Sequence, residues 1–199
     1  MKGAQIPAIQ VSALTGQERF TNGAGDLQFE ILDFWRWMGS DLVCNSMRGL
    51  LAEFIVGQAL ELKGGVRVEW DACDLATPYG VRVEVKSAAY CQSWAQRRLS
   101  PISFDIAPKW PDNIATNEVS ECARRAADVY VFCLLHHQDK TTIDPTQMEQ
   151  WTFFVLSARV LDQQVFAQRR IALSSLRKLG PIESNYAKLR ESVERAASE

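Results

Sequence analysis

Two hydrophobic rhythms divide the chain. Near the start, Leu27, Ile31, Phe34 and Trp35 recur at helical spacing after Asp26, a residue suited to capping a helix, and Gly39-Ser40-Asp41 breaks the pattern beyond Met38. A second helix is predicted from a cap at Asn45 or Ser46 through MRGLLAEFIVGQALEL, stopping before Gly64-Gly65. It is apolar on nearly every side, which predicts deep burial. The rhythm then changes to two. Val66–Ala76 and Val81–Ala89 read as the arms of a β-hairpin, with Thr77-Pro78-Tyr79-Gly80 supplying the turn. Pro101–Ala107 reads as a third short strand. Ala127–His137 is an almost unbroken apolar, β-branched and aromatic run, expected of a strand buried on both faces. Trp151–Leu161 is a fifth strand. Ser174–Leu179 is a short helix stopped by Gly180-Pro181, and Glu183–Ala197 is a last helix with Tyr186, Leu189 and Val193 on one side.

A strand covered on both faces, with helices at both ends of the chain, predicts an α/β fold: a mixed central β-sheet flanked by helices. No linker or repeat interrupts the chain. A loose N-terminal arm over residues 1–25 followed by one domain over 26–199 is the simplest organisation.

Composition narrows the classes. With 47% hydrophobic and 23% charged residues, the 199-residue chain is an ordinary globular one and not a disordered one. No apolar run approaches the roughly 20 residues needed to span a bilayer, and the N-terminus lacks the apolar core of a signal peptide, so a cytoplasmic protein is expected. Cys44, Cys73, Cys91, Cys122 and Cys133 are odd in number and scattered, with no CxxC pair. That fits reduced thiols better than a disulfide framework, structural zinc or an iron–sulfur cluster. A net charge of −2 excludes coating of nucleic acid by charge alone, though not a locally basic face. No phosphate-cradling glycine-rich loop and no G-x-S-x-G nucleophile signature occurs.

The chemistry-bearing residues gather around the hairpin. Side chains alternate along a strand, so Arg82, Glu84 and Lys86 share one face of Val81–Ala89 and Val81, Val83 and Val85 the other. In the preceding strand Val68, Trp70, Ala72 and Asp74 share a parity, and the turn can bring Asp74 beside Glu84 and Lys86. Asp71 competes, but on the opposite parity; a β-bulge would reverse the choice. Two carboxylates can complete the oxygen shell of Mg²⁺, and the ammonium can orient an attacking water or offset charge on a phosphate. Glu53 stands in the apolar helix among Leu50, Leu51, Ala52, Phe54, Ile55 and Val56, with Gly49 and Gly57 on its own face. A carboxylate there needs a partner, and a shared metal or Lys86 would serve. The reading without catalysis is a buried ion pair of Glu53 or Asp74 with Lys86.

The succession of a helical Glu53, Asp74, and Glu84-Val85-Lys86 after a hairpin resembles the PD-(D/E)XK nuclease superfamily, which includes restriction endonucleases, Holliday-junction resolvases and phage-type exonucleases. The likeness covers roughly residues 45–131. It implies a restriction-endonuclease-like fold, a metal site of Asp74, Glu84 and Glu53 holding Mg²⁺ or Mn²⁺, and a catalytic set completed by Lys86. Cys73 stands where the family's name has proline. The same resemblance implies hydrolysis of phosphodiester bonds, DNA foremost, in a restriction, repair or mobile-element setting. It also makes a homodimer possible, for which the apolar segment with Phe34, Trp35, Trp37 and Met38 could be interface or core.

Gln92, six residues after Lys86, matches a supporting glutamine found in some branches of that superfamily, and Ser87 could support the site through its hydroxyl. No acidic residue occurs from Val85 to Phe104, whereas Arg97 and Arg98 do, with Tyr90 and Trp94. Arg97 and Arg98 are candidate phosphate contacts; Trp94 reads as core. Arg169, Arg170, Arg177 and Lys178 form a second basic cluster, the usual sign of a solvated face. His136 and His137, adjacent on a strand, point to opposite faces and are poorly placed to share a metal. The competing function is a catalytically silent nuclease fold that serves as a nucleic-acid-binding or assembly module.

Overall fold

The computed structural model describes residues 9–62, 65–67, 73–108 and 125–199. In chain order its elements are β1 (Arg19–Thr21), β2 (Asp26–Glu30), α1 (Ile31–Gly39), α2 (Asn45–Ala59), β3 (Leu75–Ala76), β4 (Arg82–Ala89), β5 (Ser103–Asp105), β6 (Val129–Leu135), β7 (Trp151–Ser157), α3 (Ala158–Val165), β8 (Arg170–Ala172), α4 (Leu173–Lys178), β9 (Ile182–Ser184) and α5 (Leu189–Ala197). Short 3₁₀ turns precede β7 and α5.

A five-stranded sheet in the order β3-β4-β6-β7-β9 forms the centre. The β4–β6 pair is parallel and the other pairs are antiparallel, so the sheet is mixed, as expected. Every residue of β6 is buried. Its alternation divides the core in two. Val129, Val131, Cys133 and Leu135 join Val83 and Val85 of β4 in a cluster with Ala52, Ile55 and Val56 of α2 and Leu189, Val193 and Ala196 of α5. Tyr130, Phe132 and Leu134 face the other way, onto Phe104 of β5, Leu161 of α3, Ile171 of β8 and Leu176 of α4. Helices therefore flank both faces of the sheet. Among the described residues no helix is long and apolar enough to cross a membrane.

The departures from the sequence pattern have local causes. The predicted first helix begins four residues late, because Asp26–Glu30 is a strand paired with β1. The turn between them is built by Asn22, whose Oδ1 accepts from Ala24 N–H at 3.0 Å, and by Gly23 and Gly25 at positive φ. Asp33 Oδ2 accepts from Glu30 N–H at 2.9 Å and fixes the true start of α1. None of α1 is buried, so it is not core, and Trp37 is 83% exposed. The cap position of α2 is Cys44, not Asn45 or Ser46, and the Asn45 side chain accepts from Arg48 instead. It ends at Ala59, short of Gly64, and its burial is one-sided: Phe54 is 62% exposed.

Among its described residues the first hairpin arm contributes Leu75–Ala76 to the sheet; residues 68–72, including Val68, Trp70, Asp71 and Ala72, lie outside the described set, as do residues 109–124 with Cys122. Cys91 and Cys133 are buried, and Cys44 and Cys73 half-buried. The predicted third strand, β5, pairs with β8 in a small sheet of its own. The predicted fifth strand stops at Ser157, where α3 takes over. The start of the predicted last helix is the edge strand β9. His136 and His137 are strand-end residues, bonded separately to Thr152 and Thr142.

This layering yields a stability contrast. Phe153 is fully buried between β6 and α5, whereas Tyr79 is an exposed turn residue. In urea unfolding, Phe153→Ala is expected to cost about 3–5 kcal/mol and Tyr79→Ser to stay within about 0.5 kcal/mol.

Candidate active site

The site forms where β4 meets the sheet's short outer strand. β4 must give one face to the α2–α5 core, so Val83 and Val85 point there and Glu84, Lys86 and Ala88 alternate to the other face. Parallel pairing sets Glu84 beside Tyr130 and Lys86 beside Phe132. Glu84 is only 3% exposed. Lys86 Nζ donates to Glu84 Oε1 at 2.6 Å, offsetting part of the cost of burying that carboxylate. At the start of the same strand Arg82 is engaged by Asp128, to which its guanidinium donates at 2.7 and 3.1 Å.

Asp74 reaches the site by a route that strand alternation did not anticipate. It lies in the bend just before β3, not within a strand. Its Oδ2 accepts the Val85 N–H at 2.7 Å, where a longer outer strand would have offered a backbone carbonyl. Burial, followed by the charge of Glu84, raises the Asp74 carboxyl to about pKa 6 against the opposing effects of the Val85 hydrogen bond and Lys86. Glu53 acts on Asp74 in the same direction, so three acidic groups lie within electrostatic range of one another.

The partner of Glu53 is neither Lys86 nor a neighbouring acid. It is Arg67, whose Nε and Nη2 both donate to the Glu53 carboxylate, the latter at 3.2 Å. α2 packs on the sheet face opposite Glu84, and Glu53 is linked to the site by its electrostatic effect on Asp74. Of the two glycines beside it, Gly57 lies against Leu75 of β3, and Gly49 has open space.

Ser87 and Gln92 converge on a residue the sequence reading passed over. Arg48 in the first turn of α2 donates to Ser87 Oγ (3.2 Å), Gln92 Oε1 (3.3 Å), Asn45 Oδ1 (2.7 Å) and the Val43 carbonyl (2.8 Å). Gln92 is buried and Ser87 half-buried. Arg97 and Arg98 are exposed, and so is Trp94, which is not core. The signal for Arg48 was available: it is the single charged side chain in the first two turns of an otherwise apolar helix. Tyr130 was also missed. It is buried beside Glu84, and burial together with that charge raises its hydroxyl, keeping it protonated.

Among the described residues no three His, Cys, Asp or Glu side chains are already grouped to hold a metal ion. Mg²⁺, however, keeps several waters and takes only one or two protein carboxylates. Asp74 and Glu84 fit that demand: a half-buried and a buried acid close enough that Glu84 raises the pKa of Asp74.

A family comparison bears on this geometry. The model of the bacteriophage T4 endonuclease IV family matches residues 32–171. The chain belongs to the bacteriophage T4 endonuclease IV family. The endonuclease IV match spans α1 to the end of the β5–β8 sheet and contains Glu53, Asp74, Glu84, Lys86 and the Arg48–Gln92 contacts. No curated protein and no solved structure matches the chain.

The geometry separates two variants. A carboxyl with a raised pKa favours the folded state only while protonated; that contribution is present below its unfolded value near 3.8 and is lost as pH rises through about 6. Asp74→Asn, which can still accept from Val85, is therefore expected to raise the melting temperature by a few °C at about pH 8 and to leave it unchanged at about pH 4. Lys86→Ala removes the ammonium that balances the buried Glu84 and is expected to cost about 3 kcal/mol in urea unfolding at neutral pH.

Proposed function

We propose that this endonuclease IV family member is a divalent-metal-dependent DNA endonuclease of the PD-(D/E)XK type, with Asp74 and Glu84 as metal ligands, Lys86 as catalytic residue and Glu53 completing the site. The observation that carries the reading is the forced proximity of the half-buried Asp74, held on the Val85 N–H, and the buried Glu84 in an endonuclease-family chain. Proteins seldom tolerate such a pair without a cation to bind or a proton to move.

Bound at these carboxylates, Mg²⁺ or Mn²⁺ would supply Lewis-acid stabilisation of charge on the phosphate. Lys86 donates from Nζ to a non-bridging phosphate oxygen and orients the attacking water. Glu53, held by Arg67, orients water at the site. Tyr130 and the apolar β5–β8 layer exclude bulk solvent from behind the carboxylates.

The ion pairs Lys86–Glu84 and Arg67–Glu53 favour one competing reading, since they balance acidic charge without any metal. In it the chain is a silent nucleic-acid-binding module. Cleavage separates the two. Purified protein is expected to cut plasmid DNA with Mg²⁺ or Mn²⁺ and not with EDTA, and Asp74→Asn to lower the rate at least about a hundredfold while remaining folded. DNA binding that is indifferent to EDTA, with no cleavage in any divalent metal, would refute the nuclease reading. At subsaturating Mg²⁺ the rate is expected to fall as pH drops through about 6, where Asp74 takes up its proton. Added Mg²⁺ should move that fall to lower pH, because metal and proton compete for one carboxylate.

The exposed aromatic face of α1, with Phe34, Trp35 and Trp37, supports a homodimer. Light scattering on Trp37→Asp is expected to show a monomer where the unaltered chain shows a dimer.

A further inference from the structure

Arg48 is a buried cation that the proposed chemistry does not use. It is 4% exposed, and its four hydrogen bonds all go to uncharged acceptors. Burying a guanidinium without a carboxylate is costly, and such a residue normally persists because it fixes something in place. Arg48 holds Ser87, next to Lys86, and Gln92, at the root of the loop that follows β4.

That loop, residues 90–100, is irregular but closed. Ser100 N–H donates to the Tyr90 carbonyl at 2.9 Å, bringing its ends together. Its inside is filled by its own amides. Gln92 Nε2 donates to the Ala89 carbonyl and Ser100 Oγ; Gln96 Oε1 accepts from Gln92 N–H, and Gln96 Nε2 donates to the Tyr90 carbonyl and Ser100 Oγ. On its far side Lys140 Nζ, from the β6–β7 connection, donates to the Trp94 carbonyl at 2.6 Å. This is the anatomy of an Ω-loop held rigid by its contents, and such loops are often functional. The outside carries the exposed Arg97 and Arg98, while Lys140 and Asp139 act on the loop at Cys91. Trp94 stands 52% exposed on the same loop. The loop begins four residues beyond Lys86, roughly 13 Å along the strand, which is a span of a few nucleotides.

We propose that the 90–100 loop is a preformed rail for the phosphodiester backbone of the substrate, and that Arg48 is its positioning residue, acting through Gln92 and Ser87. Arg97 and Arg98 make the contact; Arg48, Gln92 and Gln96 remove the entropy cost of ordering them when substrate arrives. This rests on the nuclease reading and assigns its substrate-holding surface.

Coupling between sites tests it. Affinity is measured by fluorescence anisotropy on a short labelled DNA duplex and its separate strand, in the cleavage-deficient Asp74→Asn background. Arg97→Gln with Arg98→Gln is expected to weaken binding about tenfold and to reduce the salt slope by about two. Arg48→Met is expected to do nearly the same, and adding it to the arginine pair to cost less than about a further twofold. In the active chain, Arg48→Met should raise KM with kcat within a few-fold. Gln96→Ala, remote from the core, serves the same role if Arg48→Met does not fold. Fully additive losses, or unchanged affinity in both Arg48→Met and Gln96→Ala, would overturn the rail. If wild-type protein cuts DNA while Arg97 and Arg98 prove irrelevant to binding, the rail fails alone; if wild-type protein neither binds nor cuts, the nuclease reading fails with it.

Discussion

A carboxylate buried inside the central sheet is the constraint on which the remaining arrangement turns. Glu84 lies on β4 between the outer strand and the fully buried β6, nearly without solvent. An isolated charge there would be unaffordable, so Lys86 sits two residues away on the same face. That spacing works only in a strand, and only if the intervening Val83 and Val85 have a core to enter. α2 and α5 provide it. The helices are thus part of the site's construction even though they pack on the opposite face. Parallel pairing with β6 then fixes how far Glu84 lies from Tyr130 and from the apolar layer behind it.

Much of this was legible in the sequence because long, strongly patterned elements keep their period. β4 alternates strictly, β6 is continuously apolar, and the structure has both where the pattern put them. What failed was short or ambiguous. β8 and β9 are three residues long, too brief to show any period. The spacing of Leu27, Ile31, Phe34 and Trp35 fits a helix, yet Asn22-Gly23 marks a hairpin turn, and the turn prevailed over the first part of the pattern.

The candidate site divides in the same way. Asp74, Glu84 and Lys86 were singled out as a group, and the structure brings them together, although Asp74 arrives by a bend and a backbone contact and not by strand parity. The apolar setting of Glu53 showed that it needed a partner, but Arg67 could not be found, because it belongs to a stretch that read as ordinary strand. Arg48 was passed over for a different reason. A lone charge in the first turn of a helix reads as a solvated position, and only the fold shows that Ser87 and Gln92 close over it.

The outer strands of the central sheet are two and three residues long. Edges so short offer little unpaired backbone to a neighbouring molecule, which guards against intermolecular strand addition and the fibrils that can follow. At one of these edges the Val85 N–H is occupied by the Asp74 carboxylate. The group proposed to bind metal therefore also seals the border of the sheet, so that resistance to aggregation and catalytic competence depend on the same side chain.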